Sequence, residues 1–348
     1  MQFPFLRGPH PMIPKSRVAL ACALLSLAAP LAACGSAADT GSDAPGIAVF
    51  LSTSANSYEQ AQADGVKAAA KKLGGGKVQV FDGGFDSTKQ IGQIQDAVTS
   101  GRFKAFVIEP IDGAAVAAPL SRAADQDIAV VCITSACGPD TTKIDLQFPG
   151  QAGVVGSDYQ KTAAAMAQHA VDACADVDPC KVFYLNGDST FPSDRLAKDA
   201  FAAAMKAAPA NVDYVGSQDG KYDTATGRSV MESELQRNAD IAVLVSLADQ
   251  QTLGAAQAID GAGRTGKIKI ISFGGSKQAV EKVASGEWLG AQLTMPFSIG
   301  QTGAEIAIKT AQGKAPEHKA VDATTLAPVE GGLLTANDAS GFEAQWTS

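Results

Sequence analysis

Short apolar runs alternate along this chain with longer alanine-rich stretches in which apolar positions recur at helical spacing. Residues 46–51 (GIAVFL), 77–81, 104–108 (KAFVI) and 127–133 (DIAVVCI) read as strands buried on both faces. Between them, 58–73, 88–100 and 114–125 carry helical periodicity, with Gly74-Gly75-Gly76 and Gly101 where helix C-caps are expected. The pattern then repeats. Residues 181–185 (KVFYL), 212–215, 241–245 (IAVLV) and 268–273 (IKIISF) are predicted strands, and 192–208, 226–237, 251–262 and 277–285 predicted helices. Strand–helix alternation predicts parallel sheets with right-handed crossovers. Two such runs predict an α/β protein of two similar, doubly wound parallel-sheet lobes.

Ligands of open parallel sheets sit beyond the carboxyl ends of the strands. Those ends carry Ser52-Thr53-Ser54, Glu109-Pro110-Ile111-Asp112, Thr134-Ser135, Asn186-Gly187-Asp188-Ser189, Ala248-Asp249-Gln250 and Gly274-Gly275. Loops are polar in general, but six polar strand ends in one register suit hydrogen bonding to a small polar molecule.

The first residues have a different character. Arg7, Lys15 and Arg17 precede an apolar run from Val18 to Leu31, which ends in Leu31-Ala32-Ala33-Cys34. A basic start, a short apolar core and small residues at a cut site predict a secretory signal over 1–33. The core is shorter than the ~20 residues of a spanning helix. The cysteine at the cut site resembles the lipobox of bacterial lipoproteins. That resemblance implies cleavage before Cys34, lipid on its sulfur and an extracytoplasmic protein tethered to a membrane. Small and polar residues make 34–45 a flexible tether. Removing 1–33 takes away three basic and no acidic residues, so the net charge moves from −8 to about −11. This acidity argues against nucleic acid and against anionic lipid as partners.

Of six cysteines, Cys22 leaves with the signal and Cys34 is the lipid site, leaving Cys132, Cys137, Cys174 and Cys180. In an oxidising compartment they suggest two disulfides in one of three connectivities, and the short spacings favour Cys132–Cys137 with Cys174–Cys180. Zinc is the alternative, but neither spacing is CxxC and no histidine is near. Neither a metal nor a cofactor is expected. Gly261 to Lys267 has the GxxxxGK spacing of a phosphate loop, yet Ile268 stands where Ser or Thr must hold magnesium, and the glycines end a helix. No GxGxxG follows a strand and no GxSxG elbow exists. Only His169 and His318 remain for a triad. Glu109, Asp112, Asp188 and Asp249 could pair as carboxylates, but an enzyme is not the expectation.

The stretches AVFLSTSANSYEQAQADGVKAAAKKLGG, KQIGQIQDAVTSGRFKAFVIEPIDGAAVAAPLSRAADQDIAVV, ADQQTLGAAQAIDGAG and ISFGGSKQAVEKVASGEWLGAQLTMPFSIG resemble the ribose-binding-protein-like, type I class of periplasmic binding proteins that serve ABC importers. Gly65, the 90–101 stretch, Pro110, Asp112 and Gly254 stand at family-like spacing. The resemblance runs from about residue 46 to about 326. It implies a periplasmic binding protein fold with a three-crossover hinge. Lobe 1 would comprise 46–156 plus 295–325, and lobe 2 would comprise 157–294 plus 326–348. The ligand would lie between lobes that close on it.

Carried over residue by residue, the resemblance places Ser52, Asn56, Tyr58, Glu109, Ser157, Asp158, Tyr222 and Thr294 at the ligand. Thr134, Ser135, Asp188, Asp249 and Gly274 complete the candidate set. Glu59 stands where a second aromatic is common. Thr134-Ser135 replaces the usual Asp-Arg, Ala197 stands where an arginine is usual although Arg195 is near, and Gly274 replaces an aspartate. Bidentate Asp and Arg contacts fix vicinal sugar hydroxyls. A less charged pocket is therefore expected, with a ligand less hydroxylated than a simple sugar, or modified. Asp112 is expected to cap the following helix, and Phe191, Phe273 and Phe297 are expected in the core. The expected role is a monomeric, lipid-anchored solute-binding protein delivering a small polar solute to ABC permease subunits. A sensory binding protein that presents its ligand to a chemoreceptor or sensor kinase would use the same lobes.

Overall fold

The computed structural model describes residues 44–348. The predicted signal segment, Cys34 and nearly all of the 34–45 tether lie outside the described residues. The chain begins with β1 (Ile47–Leu51), α1 (Ser57–Leu73), β2 (Val78–Asp82), α2 (Ser87–Ser100), β3 (Ala105–Ile108), α3 (Gly113–Ala124), β4 (Ala129–Thr134) and β5 (Gly153–Gly156). It continues with α4 (Tyr159–Ala173), β6 (Cys180–Asn186), α5 (Pro192–Lys206), β7 (Val212–Asp219), α6 (Thr224–Arg237), β8 (Ile241–Ser246), α7 (Asp249–Gly261), β9 (Lys269–Gly274), α8 (Lys277–Ala284) and β10 (Gly290–Leu293). It ends with α9 (Pro296–Ala311), β11 (Ala320–Asp322), β12 (Leu333–Leu334) and α10 (Ala336–Ala339).

These strands form two six-stranded sheets, ordered β11-β5-β4-β3-β1-β2 and β12-β10-β9-β8-β6-β7. All ladders are parallel except that of the short β12 against β10. The fold is thus the two-lobed α/β architecture the strand–helix pattern predicts. The inner strands bury side chains on both faces. Ile47, Val49 and Leu51 pack with Val66 and Ile299, while Ala48 and Phe50 pack with Phe106 and Leu120 on the opposite face. Phe183 and Leu185 against Val182 and Tyr184 repeat that alternation in the second sheet.

Three passages link the sheets: from β5 into α4, from β10 into α9, and from β11 towards β12. At the third, Leu326 packs on the core of the first sheet and Ala327 on that of the second. Helices α4 and α9, together with β5, β10, β11 and β12, extend the sequence pattern; their runs are short or broken by small residues. Two disulfides, Cys132–Cys137 and Cys174–Cys180, pin the loop after β4 and the turn from α4 into β6. This is the local pairing that the short spacings favour.

The contact between α1 and α9 has a glycine on each side. A Cβ on Gly65 of α1 would lie 2.1 Å from the Phe297 carbonyl oxygen, and one on Gly300 of α9 would lie 2.1 Å from that of Gln62. Backbone meets backbone there, so neither side can yield by rotating a side chain. Gly65→Ala should therefore lower the unfolding free energy by about 1–3 kcal/mol in denaturant titrations. Gly92→Ala, in α2 with nothing within 4 Å of the new methyl, should instead raise it by up to about 1 kcal/mol. Equal effects at the two positions would refute the close-approach account.

Candidate functional site

In each sheet the first strand lies between the second and third, β1 between β2 and β3, and β6 between β7 and β8. The chain therefore departs in opposite directions from each first strand, which opens a crevice at the carboxyl ends. In the first lobe that crevice holds Ser52, just after β1, and Glu109, just after β3. The buried Gln90 side chain fixes the β3 end, donating to the Glu109 carbonyl oxygen at 2.8 Å and accepting from the Ile111 amide at 3.0 Å. Asn56 caps α1 by accepting from the amides of Tyr58 and Glu59, which aims the first turn at the crevice. The Ser52 hydroxyl lies 3.0 Å from Glu59 Oε1 and 3.0 Å from Glu109 Oε2. Gln62 donates to Thr134 Oγ1 at 2.7 Å. Burial and the neighbouring Glu109 hold the Glu59 carboxyl well above the usual range, and burial raises Glu109 as well.

The second lobe supplies the facing wall. Tyr222 donates its hydroxyl to Asp194 Oδ2 at 2.7 Å, and the Asp188 amide donates to the same oxygen at 2.6 Å. Burial nevertheless pushes Asp194 up to about 6. Gln251 plays the part of Gln90. Its amide donates to the carbonyl oxygens of Leu185 and Asn186, and its oxygen accepts from the Tyr222 amide.

The two walls meet through aromatic rings. Phe85, from the loop after β2, has its centroid 5.5 Å from Phe191 and 6.2 Å from Tyr222. Trp346 sets its edge against Tyr58 at 5.5 Å, and the Tyr58 hydroxyl reaches Thr294 Oγ1 at 3.1 Å. The cavity so enclosed is lined from both lobes, and its lining residues include no lysine, arginine or histidine. Among the described residues five non-glycine residues have positive φ, and three of them, Phe85, Thr134 and Tyr222, line this cavity. Such backbone costs roughly 1–3 kcal/mol per residue and gathers at binding sites.

A family model described as a periplasmic binding protein domain matches residues 47–315. The chain belongs to the periplasmic binding protein family. It is 27% identical to the D-ribose/D-allose-binding protein of Pseudomonas aeruginosa, over 84% of this chain and 89% of that one. It is 28% identical to the ribose import binding protein of Haemophilus influenzae, over 88% and 96%. Among solved structures, an ABC transporter solute-binding protein from Mycobacterium smegmatis with bound glycerol superposes with a TM-score of 0.72 at 26% identity, covering 88% of this chain and 99% of that one.

Nine of the sequence-derived candidates line the cavity of this periplasmic binding protein: Ser52, Asn56, Tyr58, Glu109, Thr134, Ser135, Tyr222, Gly274 and Thr294. Four sit elsewhere. Ser157 lies in the first passage, its amide bonded to the Thr134 carbonyl oxygen. Asp158 caps α4, accepting from the Gln160 and Lys161 amides. Asp188 accepts from the Thr190 amide and hydroxyl, closing its own turn. Asp249 is fully buried behind the wall, where its Oδ2 accepts from the Ser276 amide at 2.7 Å. Asp112 caps α3 as expected. Arg195 does not replace the missing arginine, because its guanidinium holds the carbonyl oxygens of Ser189 and Thr190.

Glu59, Phe85, Tyr159, Ser193, Gln250 and Trp346 stand outside the candidate set, and Phe191 and Phe273 were expected in the core; all eight line the cavity. Ser193, Gln250 and Phe191 follow polar strand ends and carried a usable signal. Phe85 and Trp346 arrive from distant segments and carried none. The lining carries no cation, and its charged groups are the carboxyls of Glu59 and Glu109.

Burial lifts Asp249 from the usual carboxylate value to about 6. A raised folded-state value stabilises the protein below the unfolded value, and that contribution is lost as pH rises through about 6. Asp249→Asn should therefore gain on the parent protein between pH 4 and 7 by up to about 3 kcal/mol in unfolding free energy, then hold level. A pH-independent difference would show that Asp249 is ionised in the fold.

Proposed function

We propose that this chain is the lipid-anchored, extracytoplasmic solute-binding component of an ABC importer, and that it captures a small, sugar-like polar molecule between its lobes. The observation that carries the reading is the cavity itself, walled by the carboxyl ends of both sheets. A ligand touching both walls favours the closed arrangement by its differential affinity for that state. The printed names of the relatives, for ribose and allose binding and ribose import, support a solute of pentose or hexose size. Hydroxyls and amides from Ser52, Asn56, Thr134, Ser193, Gln250 and Thr294 suit such a molecule. Release to permease subunits requires no chemical step, and the lining offers no histidine, cysteine or lysine for one.

A thermal-shift screen of residues 35–348 against pentoses, hexoses, polyols and their amino derivatives tests the binding role. A ligand at 100 times its dissociation constant adds about 2.7 kcal/mol, a rise of a few degrees for a chain of this size. Tyr58→Ala should weaken the hit by about 1–3 kcal/mol with an unchanged circular dichroism spectrum. An undiminished affinity would move the ligand away from this cavity. The anchor is tested separately. Cys34→Ala should release the protein from the membrane fraction, and persistence there would refute lipid attachment at that sulfur.

A further inference from the structure

Glu59 and Glu109 form a buried pair of carboxyls with no cation to answer them. Glu59 is 5% exposed and Glu109 7%, and both line the cavity. The only hydroxyl between them, on Ser52, lies 3.0 Å from each, and one hydroxyl has one hydrogen to give. Glu59 Oε2 is buried without a hydrogen-bond partner. The other donors to Glu109 are long, the Ser52 amide at 3.4 Å from Oε2 and the Gln62 amide at 3.5 Å from Oε1, and the Gln62 amide is better placed on Thr134 at 2.7 Å. Neither carboxyl takes part in an ion pair among the described residues. Removing one carboxylate from water without a partner is costly, and two side by side are worse.

The rest of the wall fits the missing partner. Tyr58, Phe85, Tyr159 and Tyr222 present ring faces or edges around the cavity, and aromatic faces attract a cation that has shed its water. An ammonium group has three donors and no acceptor, the complement of carboxylate oxygens short of donors. Hydroxyl and amide groups elsewhere on the wall suit a hydroxylated remainder. On the reading that this cavity is the solute site, we propose that the transported solute is a polyhydroxylated amine, an amino sugar or amino polyol, whose protonated amine sits on Glu59 and Glu109.

The charge state gives the idea a sign. Facing Glu59 are Glu109 after β3, Tyr58 on α1 and Tyr159 on α4, and Tyr159 in turn faces Asp194 and Tyr222 of the second lobe. All are acidic groups, and burial raises each of the carboxyls. Without ligand, the pair therefore holds its protons to higher pH than free carboxyls do. A bound ammonium favours the ionised pair, so its binding expels protons and tightens as pH rises through the carboxyl titration. A neutral sugar that accepts from a protonated carboxyl would follow the opposite slope.

The test is isothermal titration calorimetry from pH 5 to 7, below the titration of the amines themselves, with matched probes: D-glucosamine against D-glucose, D-galactosamine against D-galactose, and 1-amino-1-deoxy-D-ribitol against ribitol. At least one amine should bind tenfold or more tightly than its hydroxyl partner, with proton release into the buffer and affinity increasing with pH. Glu59→Gln should cost that amine about tenfold to a hundredfold, the range of a hydrogen bond to a charged group, and should cost the neutral partner less than it costs the amine. Because glutamine is neutral and close in shape to the protonated carboxyl it replaces, the variant should melt no lower than the parent, which excludes unfolding as the cause. A neutral probe that binds while its amine does not would overturn the amine and leave the solute-binding role standing. Silence from both sets would overturn the amine together with the cleft reading on which it rests.

Discussion

A parallel sheet ends with all its strands at one edge, and the backbone groups just past that edge have lost their ladder partners. Most of this protein's organisation follows from how those groups are satisfied. In each lobe a single fully buried glutamine does it. Gln90 takes the carbonyl of Glu109 and the amide of Ile111, and Gln251 takes the carbonyls of Leu185 and Asn186 and the amide of Tyr222. Side-chain amides offer donor and acceptor together, so one residue can hold two loops at fixed spacing. The loops so held are those that present Glu109 and Tyr222. Site geometry is thus a by-product of closing the sheet edge, and the strained backbone at Thr134 and Tyr222 is tolerated because packing and hydrogen bonds leave those residues nowhere else to go.

The sequence pattern revealed most of the fold because strands buried on both faces must be apolar throughout, and helices between them must carry a stripe. Where these pressures weaken, so does the pattern. Strand β10 reads Gly-Ala-Gln-Leu, and β12 has two residues at the sheet edge. Helix α9 is bounded by Pro296 and interrupted by Gly300 and Gly303, which look like breakers until Gly300 is seen against α1. Polar strand ends pointed to the correct edge of each sheet. Composition could not separate residues facing the cavity from those tying the loop beneath it. Asp158 and Asp188 are spent on amides of their own turns and Asp249 on the Ser276 amide behind the wall, whereas Glu109 faces the cavity.

Other wall residues were hidden because their partners lie far away in the chain. Phe85 gains its role only from Phe191 and Tyr222 across the cleft, and Trp346 only from Tyr58. The last residues join both lobes. Gln345 exchanges hydrogen bonds with Ser298 at the start of α9, while Ser348 bonds to Gln278 of α8. Ser57 and Thr347 are also partners. A segment that bonds to both lobes limits how they can turn about the three passages, so opening must break or carry these contacts.

Charge decides what closing costs. An open cleft would hydrate Glu59 and Glu109, and bringing Phe85, Phe191, Tyr222 and Trp346 together removes that water. Desolvation disfavours the ionised pair more strongly the tighter the lobes close, so an empty site resists closure unless it takes up protons. A cation reverses the sign of that resistance, because low dielectric strengthens its attraction to the pair. Aromatic rings are suited to such a wall, since they exclude water without supplying a competing positive charge. The absence of arginine and lysine from the lining then has a physical sense beyond the loss of sugar contacts. A built-in cation would neutralise the pair permanently and remove the difference between empty and filled states on which ligand-driven closure depends.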